Sequence, residues 1–187
     1  MNEEIELKVM HVFESQSRTG AYVLLLEKTD DDKQQIPIII GEKEAHSIYS
    51  ALNEQPSIRP LSHDILAAAI EFLEGTLSKI VIYKVNSGIY YSYLYLNRGE
   101  QFTRIDARTS DAVALALRLN TPIYILKEIL DSENIEVVMD GDESFVIAPK
   151  SRKGPSLEDL KVRLEKAIEQ ENYELASVIR DQIAEIE

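Results

Sequence analysis

The chain has 187 residues, of which 44% are apolar, and a net charge of −13. This length suffices for one hydrophobic core with a small appendage, and the absence of cysteine excludes disulfides and thiolate-bound zinc. No apolar run reaches the ~20 residues that cross a bilayer, and the acidic N-terminus is unlike a signal peptide. We therefore expect a cytoplasmic protein without membrane contact. The acidity also argues against non-specific nucleic-acid binding, which depends on Lys and Arg.

The first part of the chain predicts three strands and a helix. Residues 5–14, 21–29 and 35–40 are rich in Val, Leu, Ile and aromatic residues and are separated by turn-forming segments. From Glu42 the apolar period becomes helical, and one face carries Ala45, Ile48, Tyr49 and Leu52.

The middle of the chain predicts two further helices around a meander of strands. Ser62 should cap a helix whose buried stripe contains Leu66, Ala69, Ile70 and Leu73. Residues 78–85 and 89–96 flank a hairpin signal, and a third strand covers 101–107. Thr109 or Ser110 should cap the next helix, which buries Ala112, Leu115, Ala116 and Leu119 before a short strand at 123–126. Residues 1–148 are thus predicted to form an α+β domain, an antiparallel or mixed sheet covered by about three helices.

The end of the chain has a different pattern. Residues 149–155 contain two prolines, a glycine and three bases, which is typical of a linker. Beyond it, apolar residues recur at coiled-coil spacing in two series and predict an antiparallel helical hairpin over 156–187. Because two helices of about four turns bury too little apolar surface to be stable alone, we expect this hairpin to bind a protein partner.

Two short polar segments stand out at predicted helix starts. The His63 segment is Arg59–Asp64, and the Asp111 segment is Asp106–Asp111. A helix start attracts anions through its dipole and its free N–H groups, but a purely structural start needs only a cap. We therefore predict that the two segments converge into one functional site.

The residue types in these segments suggest phosphodiester chemistry. His63 would be the general base, since a helix N-terminus favours the neutral imidazole, and the catalytic set is predicted as His63, Asp64, Asp106 and Asp111. The three aspartates would hold Mg²⁺ or Mn²⁺. Phosphate would be bound by Arg59 and Arg108, with Arg118 on the same helix face as Asp111. The secondary candidates are Glu44, His46 and Ser110.

Structural explanations remain open for several of these residues. Acids are favoured in a first helical turn by the dipole alone, and Asp–Arg pairs can be ordinary ion pairs. The tyrosines at 90, 91, 93 and 95 can stack on bases, but alternating tyrosines are more typical of strand packing.

Two stretches resemble known families. Residues 36–130, from Ile36-Pro37-Ile38 through both polar segments to Pro122-Ile123-Tyr124, resemble the bifunctional nuclease domain family, and the resemblance extends through most of residues 1–135. Residues 156–187, with Tyr173-Glu174-Leu175-Ala176 and Ile179-Arg180-Asp181, resemble the UVR helical hairpin of nucleotide-excision-repair subunits. Two positions depart from the nuclease pattern, since Ser62 stands where Thr is usual and Thr109 where Pro is usual.

The first resemblance implies nuclease activity on DNA and RNA, and the second implies a partner with a similar hairpin, including a second copy of the chain. The leading hypothesis is a metal-assisted nuclease tethered by its hairpin. The alternatives are a non-catalytic interaction protein and a small-molecule phosphate-ester hydrolase that uses the same site. A nuclease should have a basic groove within the acidic surface, whereas an adaptor need not. We also expect a homo-oligomer, because a monomer would leave strand edges and apolar helices uncovered.

Overall fold

The computed structural model describes residues 3–148 except 16–19, 31–33, 54, 56 and 141–143, and it describes only the backbone from residue 136 onward. These residues belong to one compact unit, Met1–Ala148. No helix among them is long and apolar enough to cross a membrane. The predicted linker at 149–155 and the predicted hairpin at 156–187 lie outside the described residues and stay predictions.

The described residues form strands and helices in a mixed order. In chain order they are β1 (Glu4–Glu14), β2 (Ala21–Lys28), β3 (Gln35–Gly41), α1 (Glu42–Leu52), α2 (Ser62–Phe72), β4 (Thr76–Asn86), β5 (Ile89–Arg98), β6 (Gln101–Arg108), α3 (Thr109–Arg118), β7 (Ile123–Leu126), α4 (Lys127–Glu133), β8 (Glu136–Asp140) and β9 (Ser144–Ala148). The sequence predicted β1 to β7 and α1 to α3 to within about two residues at each end. It did not predict α4, β8 or β9.

Seven of the strands form one mixed sheet in the order β3-β2-β1-β7-β4-β5-β6. All neighbours are antiparallel except β4 and β7, which run parallel. The late strand β7 therefore lies between β1 and β4 and joins the two hairpin systems. This mixed α+β architecture confirms the predicted fold class.

The core lies between the sheet and α3, which is the most deeply buried helix. Residues 112–116 are each at most 1% exposed, because α3 packs against α1 and α2 as well as against β4, β5 and β6. The predicted inward stripe of α3 is confirmed at Ala112, Leu115 and Ala116, and Leu119 is partly buried. In α1, Ala45 and Ile48 are buried as predicted, but Tyr49 is half exposed.

Helix α2 packs differently from the sequence prediction. Only Ala67 is buried, while Leu66 and Leu73, predicted to be buried, are about half exposed. The small Ala67 brings α2 close to α3, and a groove lined by Ile70 and Leu73 remains between α2 and the ends of β5 and β6. The predicted buried stripe of α2 is therefore wrong for the described residues.

The predicted helix caps are also displaced. Ser62 and Thr109 are the first residues inside α2 and α3, and the cap positions are occupied by Leu61 and Arg108, neither of which makes a side-chain cap hydrogen bond to its helix. In α2 the carboxylate of Asp64 reaches back and accepts a hydrogen bond from the Leu61 N–H at 2.6 Å. The Thr109 hydroxyl is instead 2.8 Å from the Ser92 hydroxyl on β5.

Candidate active site at three helix starts

The first turns of α1, α2 and α3 meet at one groove of about 900 Å³. Helix α1 contributes Glu44, α2 contributes His63, and α3 contributes Asp111, while the sheet contributes Leu94 and Ala107. Three helix N-termini at one groove provide a partial positive charge from backbone dipoles. This arrangement suits a ligand with negative charge.

His63 is held at both ring nitrogens. Its Nδ1 lies 2.9 Å from Ser47 Oγ on α1, and its Nε2 lies 3.2 Å from Asp111 Oδ1 on α3. In the neutral ring that donates Nε2–H to Asp111, Nδ1 accepts a hydrogen bond from the Ser47 hydroxyl. The two partners fix the plane of the imidazole, as the orienting partners of a proton-transfer histidine must.

Asp111 also binds Arg108. The guanidinium donates from Nε to Asp111 Oδ2 at 2.8 Å and from Nη2 to Oδ1 at 3.1 Å, and its Nη1 lies 3.0 Å from Glu44 Oε1. The hydrogen bond to Asp111 is the main reason that the pKa of Arg108 lies above its usual value. Because the Arg108 side chain is 68% exposed, its guanidinium is accessible to a ligand that enters the groove.

Asp64 and Arg118 form a second pair, away from the groove lining. Arg118 donates Nε–H to Asp64 Oδ1 and also binds the carbonyl oxygens of Ser47 at 3.2 Å and Ala114 at 2.8 Å. Burial alone would raise the pKa of Asp64, but the hydrogen bonds from Arg118 and Leu61 outweigh it and lower the pKa. Through these hydrogen bonds Arg118 links α1, α2 and α3. Only 9% of its side chain is exposed.

The structure does not bring Asp106 to the groove. Asp106 pairs in register with Tyr93, whereas the neighbouring Ala107 lines the groove, so Asp106 projects from the opposite face of the sheet. There it accepts a hydrogen bond from the Tyr83 hydroxyl at 3.0 Å. The pKa of Tyr83 is raised, mainly by its hydrogen bond with Tyr93 and further by burial and by Asp106. The alternation of side chains along β6 explains the separation of Asp106 from Asp111.

Of the remaining predicted residues, some line the groove and others do not. Arg59 is exposed in the segment before α2 and is not among the described residues that line the groove. Ser110 is buried in the first turn of α3. Glu44 and His46, predicted as secondary candidates, do line the groove.

The described groove is neither basic nor a preformed metal site. Its charged lining consists of Glu42, Lys43, Glu44, Arg108 and Asp111, with two histidines. Within the described residues no three His, Asp or Glu side chains are placed to hold one metal ion. The carboxylates of Glu44 and Asp111 are bridged by Arg108 instead, so the donor set of this arrangement does not fit the predicted Mg²⁺ or Mn²⁺.

Sequence reasoning missed Ser47, which is buried and directly contacts His63. A serine beside an apolar helical stripe has no distinctive pattern in the sequence, and its role follows only from its contact with His63.

Comparisons with known proteins match both parts of the chain. The bifunctional nuclease domain model matches residues 23–138, and the UvrB/UvrC motif model matches residues 156–187. An uncharacterized protein of Mycobacterium tuberculosis (strain CDC 1551 / Oshkosh) is 34% identical over 128 residues, which cover 67% of this chain and 74% of that protein.

Two plant proteins are more distant. Bifunctional nuclease 1 of Oryza sativa subsp. indica is 26% identical over 129 residues, or 67% of this chain and 39% of that protein. Bifunctional nuclease 1 of Arabidopsis thaliana is 20% identical over 179 residues, or 87% of this chain and 55% of that protein. Both resemblances predicted from the sequence are confirmed, and the chain belongs to the bifunctional nuclease domain family.

Proposed function

We propose that this chain is a nuclease that hydrolyses phosphodiester bonds of DNA or RNA in the groove between α1, α2 and α3. The observation that carries the proposal is the contact of His63 with Ser47 and Asp111 beside an exposed Arg108. Membership of the bifunctional nuclease domain family supports the substrate class.

Each group has a role that follows from its contacts. The proton of the attacking water would pass to Ser47 Oγ while the Ser47 hydroxyl proton passes to His63 Nδ1. Asp111, which accepts Nε2–H, would orient the ring and stabilise the imidazolium. Arg108 would bind the phosphate through its planar fork. The N–H groups at the three helix starts would oppose the negative charge that grows on the phosphoryl oxygens.

The acidic lining sets a condition on substrate binding. A phosphate that binds Arg108 competes with Glu44, the more weakly held of the two carboxylate partners, since Glu44 contacts a single nitrogen and Asp111 contacts two. Phosphate contacts lose affinity as the salt concentration rises. Because the substrate must also displace Glu44, we expect it to bind weakly at high salt. The requirement for Mg²⁺ or Mn²⁺ stays a prediction.

The test compares His63→Ala with His46→Ala, a matched histidine in the same groove. With short labelled single-stranded DNA and RNA, His63→Ala should lower the rate at least about 100-fold, and His46→Ala should remain within about threefold. Equal activity of the wild type and His63→Ala would contradict the proposal.

The same assay separates the rival functions. Cleavage of bis(p-nitrophenyl) phosphate without cleavage of either oligonucleotide would favour the small-molecule phosphate-ester hydrolase. A folded wild-type protein that cleaves none of these substrates, with or without Mn²⁺, would favour the non-catalytic interaction protein.

We further propose that residues 156–187 bind a protein partner, which the match to the UvrB/UvrC motif supports. A chain that ends at Gly154 should keep its rate on a short oligonucleotide and lose partner capture in a pull-down with a UVR-type hairpin. A large loss of rate with folding and oligomeric state unchanged would contradict this division of roles. The cytoplasmic location stays a prediction.

A further inference from the structure

Strand β6 is the free edge of the seven-stranded sheet among the described residues. It pairs with β5 on one side only, and every residue of β6 except Ala107 is exposed. At the opposite edge, Gln35 of β3 forms an isolated bridge with Ile135. An uncovered edge presents a row of backbone donors and acceptors to another strand.

An apolar surface lies beside this edge. Leu66 of α2 and Leu73 just after it are 45% and 53% exposed, and they line grooves shared with Ala107 and Thr103 of β6. Ile105 of β6 is 48% exposed. Ile105 pairs in register with Leu94, which lines the groove under the helices, so it faces the same side of the sheet as α2. The sequence pattern of α2 is that of a helix with a buried face, yet within the described chain this face is open.

We propose that β6 pairs antiparallel with β6 of a second copy, about a two-fold axis at Ile105. In this register Arg104 lies directly opposite the partner's Asp106, and the symmetry creates two such pairs. A register centred on Arg104 would oppose two arginines, and one centred on Asp106 would oppose two aspartates. Opposite charges stabilise directly facing positions and like charges destabilise them, which excludes the registers centred on Arg104 and Asp106. A register centred on Ala107 would pair Asp106 with Arg108 but would join only residues 106–108 of β6, whereas the Ile105 register joins residues 102–108.

The two faces of the joined sheet would then have different chemistry. Arg104 and Asp106 pair in register with Tyr95 and Tyr93, so the intermolecular charge pairs lie on the tyrosine side. On the other side the axis brings Ile105 against its copy and turns the two α2 surfaces towards each other, which is the isologous contact of a C2 dimer.

The test is a charge exchange measured by sedimentation equilibrium on the full chain. The wild type should sediment at twice 21.2 kDa at tens of micromolar. Arg104→Asp and Asp106→Arg should each weaken the dimer by about tenfold or more, and the double variant should restore the wild-type constant to within about threefold. Lys84→Asp, a charge reversal on β4 with no role in the pairing, should leave the dimer unchanged.

A second measurement uses the absence of native cysteine. Directly opposite residues of antiparallel strands have Cα atoms ~4.5–5.5 Å apart, which lies within disulfide range, so oxidised Ile105→Cys should give a covalent dimer and Ser87→Cys, in the β4–β5 turn, should not. A wild-type monomer would overturn the proposal. So would a dimer insensitive to both single reversals, which would place the contact elsewhere, for instance at residues 156–187. The proposal would also be overturned if the double variant did not recover the wild-type dimer constant and oxidised Ile105→Cys gave no covalent dimer.

Discussion

His63 Nε2 lies 3.2 Å from Asp111 Oδ1, although 48 positions separate the two residues in the sequence. The contact exists because α2 and α3 both begin at the same end of the helical layer and pack against each other. It joins an acid–base group to a carboxylate that also holds the exposed Arg108. Disturbing each member of this group should therefore have a different kinetic effect.

Arg108 should act on substrate binding, whereas Arg59 should not. Arg108→Ala should raise KM for a short oligonucleotide about tenfold or more and reduce the salt dependence of binding by about one phosphate contact. Arg108→Lys should recover only part of the loss, because an ammonium cannot form the paired bonds of the guanidinium. Steady-state kinetics at several salt concentrations, with Arg59→Ala as the charge-matched control, makes the comparison. Equal effects of Arg59→Ala and Arg108→Ala would contradict the placement of the phosphate.

Ser47 should act on the chemical step together with His63. Ser47→Ala removes the hydroxyl partner of Nδ1 and leaves an apolar side chain that the site can hold, so kcat should fall about tenfold with KM nearly unchanged. Ser47→Thr, which keeps the hydroxyl, should recover part of the activity. The ¹⁵N chemical shifts of the His63 ring supply an independent readout, since they should change in Ser47→Ala if the hydroxyl selects the tautomer. Unchanged ¹⁵N shifts of the His63 ring together with an unchanged kcat would show that Ser47 does not contribute to catalysis through His63.

The pair of Asp64 and Arg118 should contribute stability rather than chemistry. Because the folded protein lowers the pKa of Asp64 below its reference value of 3.8, the contribution is present above that pH and is lost as the pH falls through the lower, folded-state pKa. Asp64→Asn should cost about 1–2 kcal/mol at pH 7, and the difference from wild type should shrink below about pH 4.

Urea unfolding at pH 7 and at pH 3 measures this difference. Asp131→Asn is the matched control, because Asp131 makes an exposed ion pair with Lys127 at 3.7 Å and should contribute little. A cost that is the same at both pH values would mean that Asp64 acts through packing and not through its charge.

Much of the fold follows from local pattern, and the errors have a common cause. Strand and helix periods depend on neighbours in the sequence, so β1 to β7 and the inward face of α3 were predictable. The insertion of β7 between β1 and β4 depends on long-range pairing, which no local pattern contains. The buried stripe predicted for α2 failed because periodicity indicates an apolar face and does not say what covers it.

The candidate site was predictable in part for the same reason. His63 and Asp111 were found because charged residues at helix starts stand out against apolar surroundings. Asp106 was misplaced because the strand pleat turns it to the face opposite Ala107, which lines the groove. Ser47 was missed because one buried hydroxyl in α1 has no signal until the start of α2 packs beside it.

The predicted divalent cation is tested by binding rather than by activity alone. If Mn²⁺ binds in the groove, Arg108 must release Asp111 and Glu44, so Arg108→Ala should increase Mn²⁺ affinity and Asp111→Asn should abolish it. Isothermal titration with Mn²⁺ measures both variants, and Asp131→Asn serves as the control. Equal Mn²⁺ affinity in the wild type, Arg108→Ala and Asp111→Asn would place any bound cation outside this groove.

The central claim, that His63 and Asp111 act as one unit, is tested most directly by a double-mutant cycle on nuclease kcat. His63→Ala and Asp111→Asn should each lower kcat about 100-fold or more, and because neither residue functions without the other, the double variant should be no slower than the slower single variant. Circular dichroism of all three variants verifies that they are folded. Additive losses, with the double variant slower by the product of the two single effects, would show that the residues act independently and would contradict this account of the site.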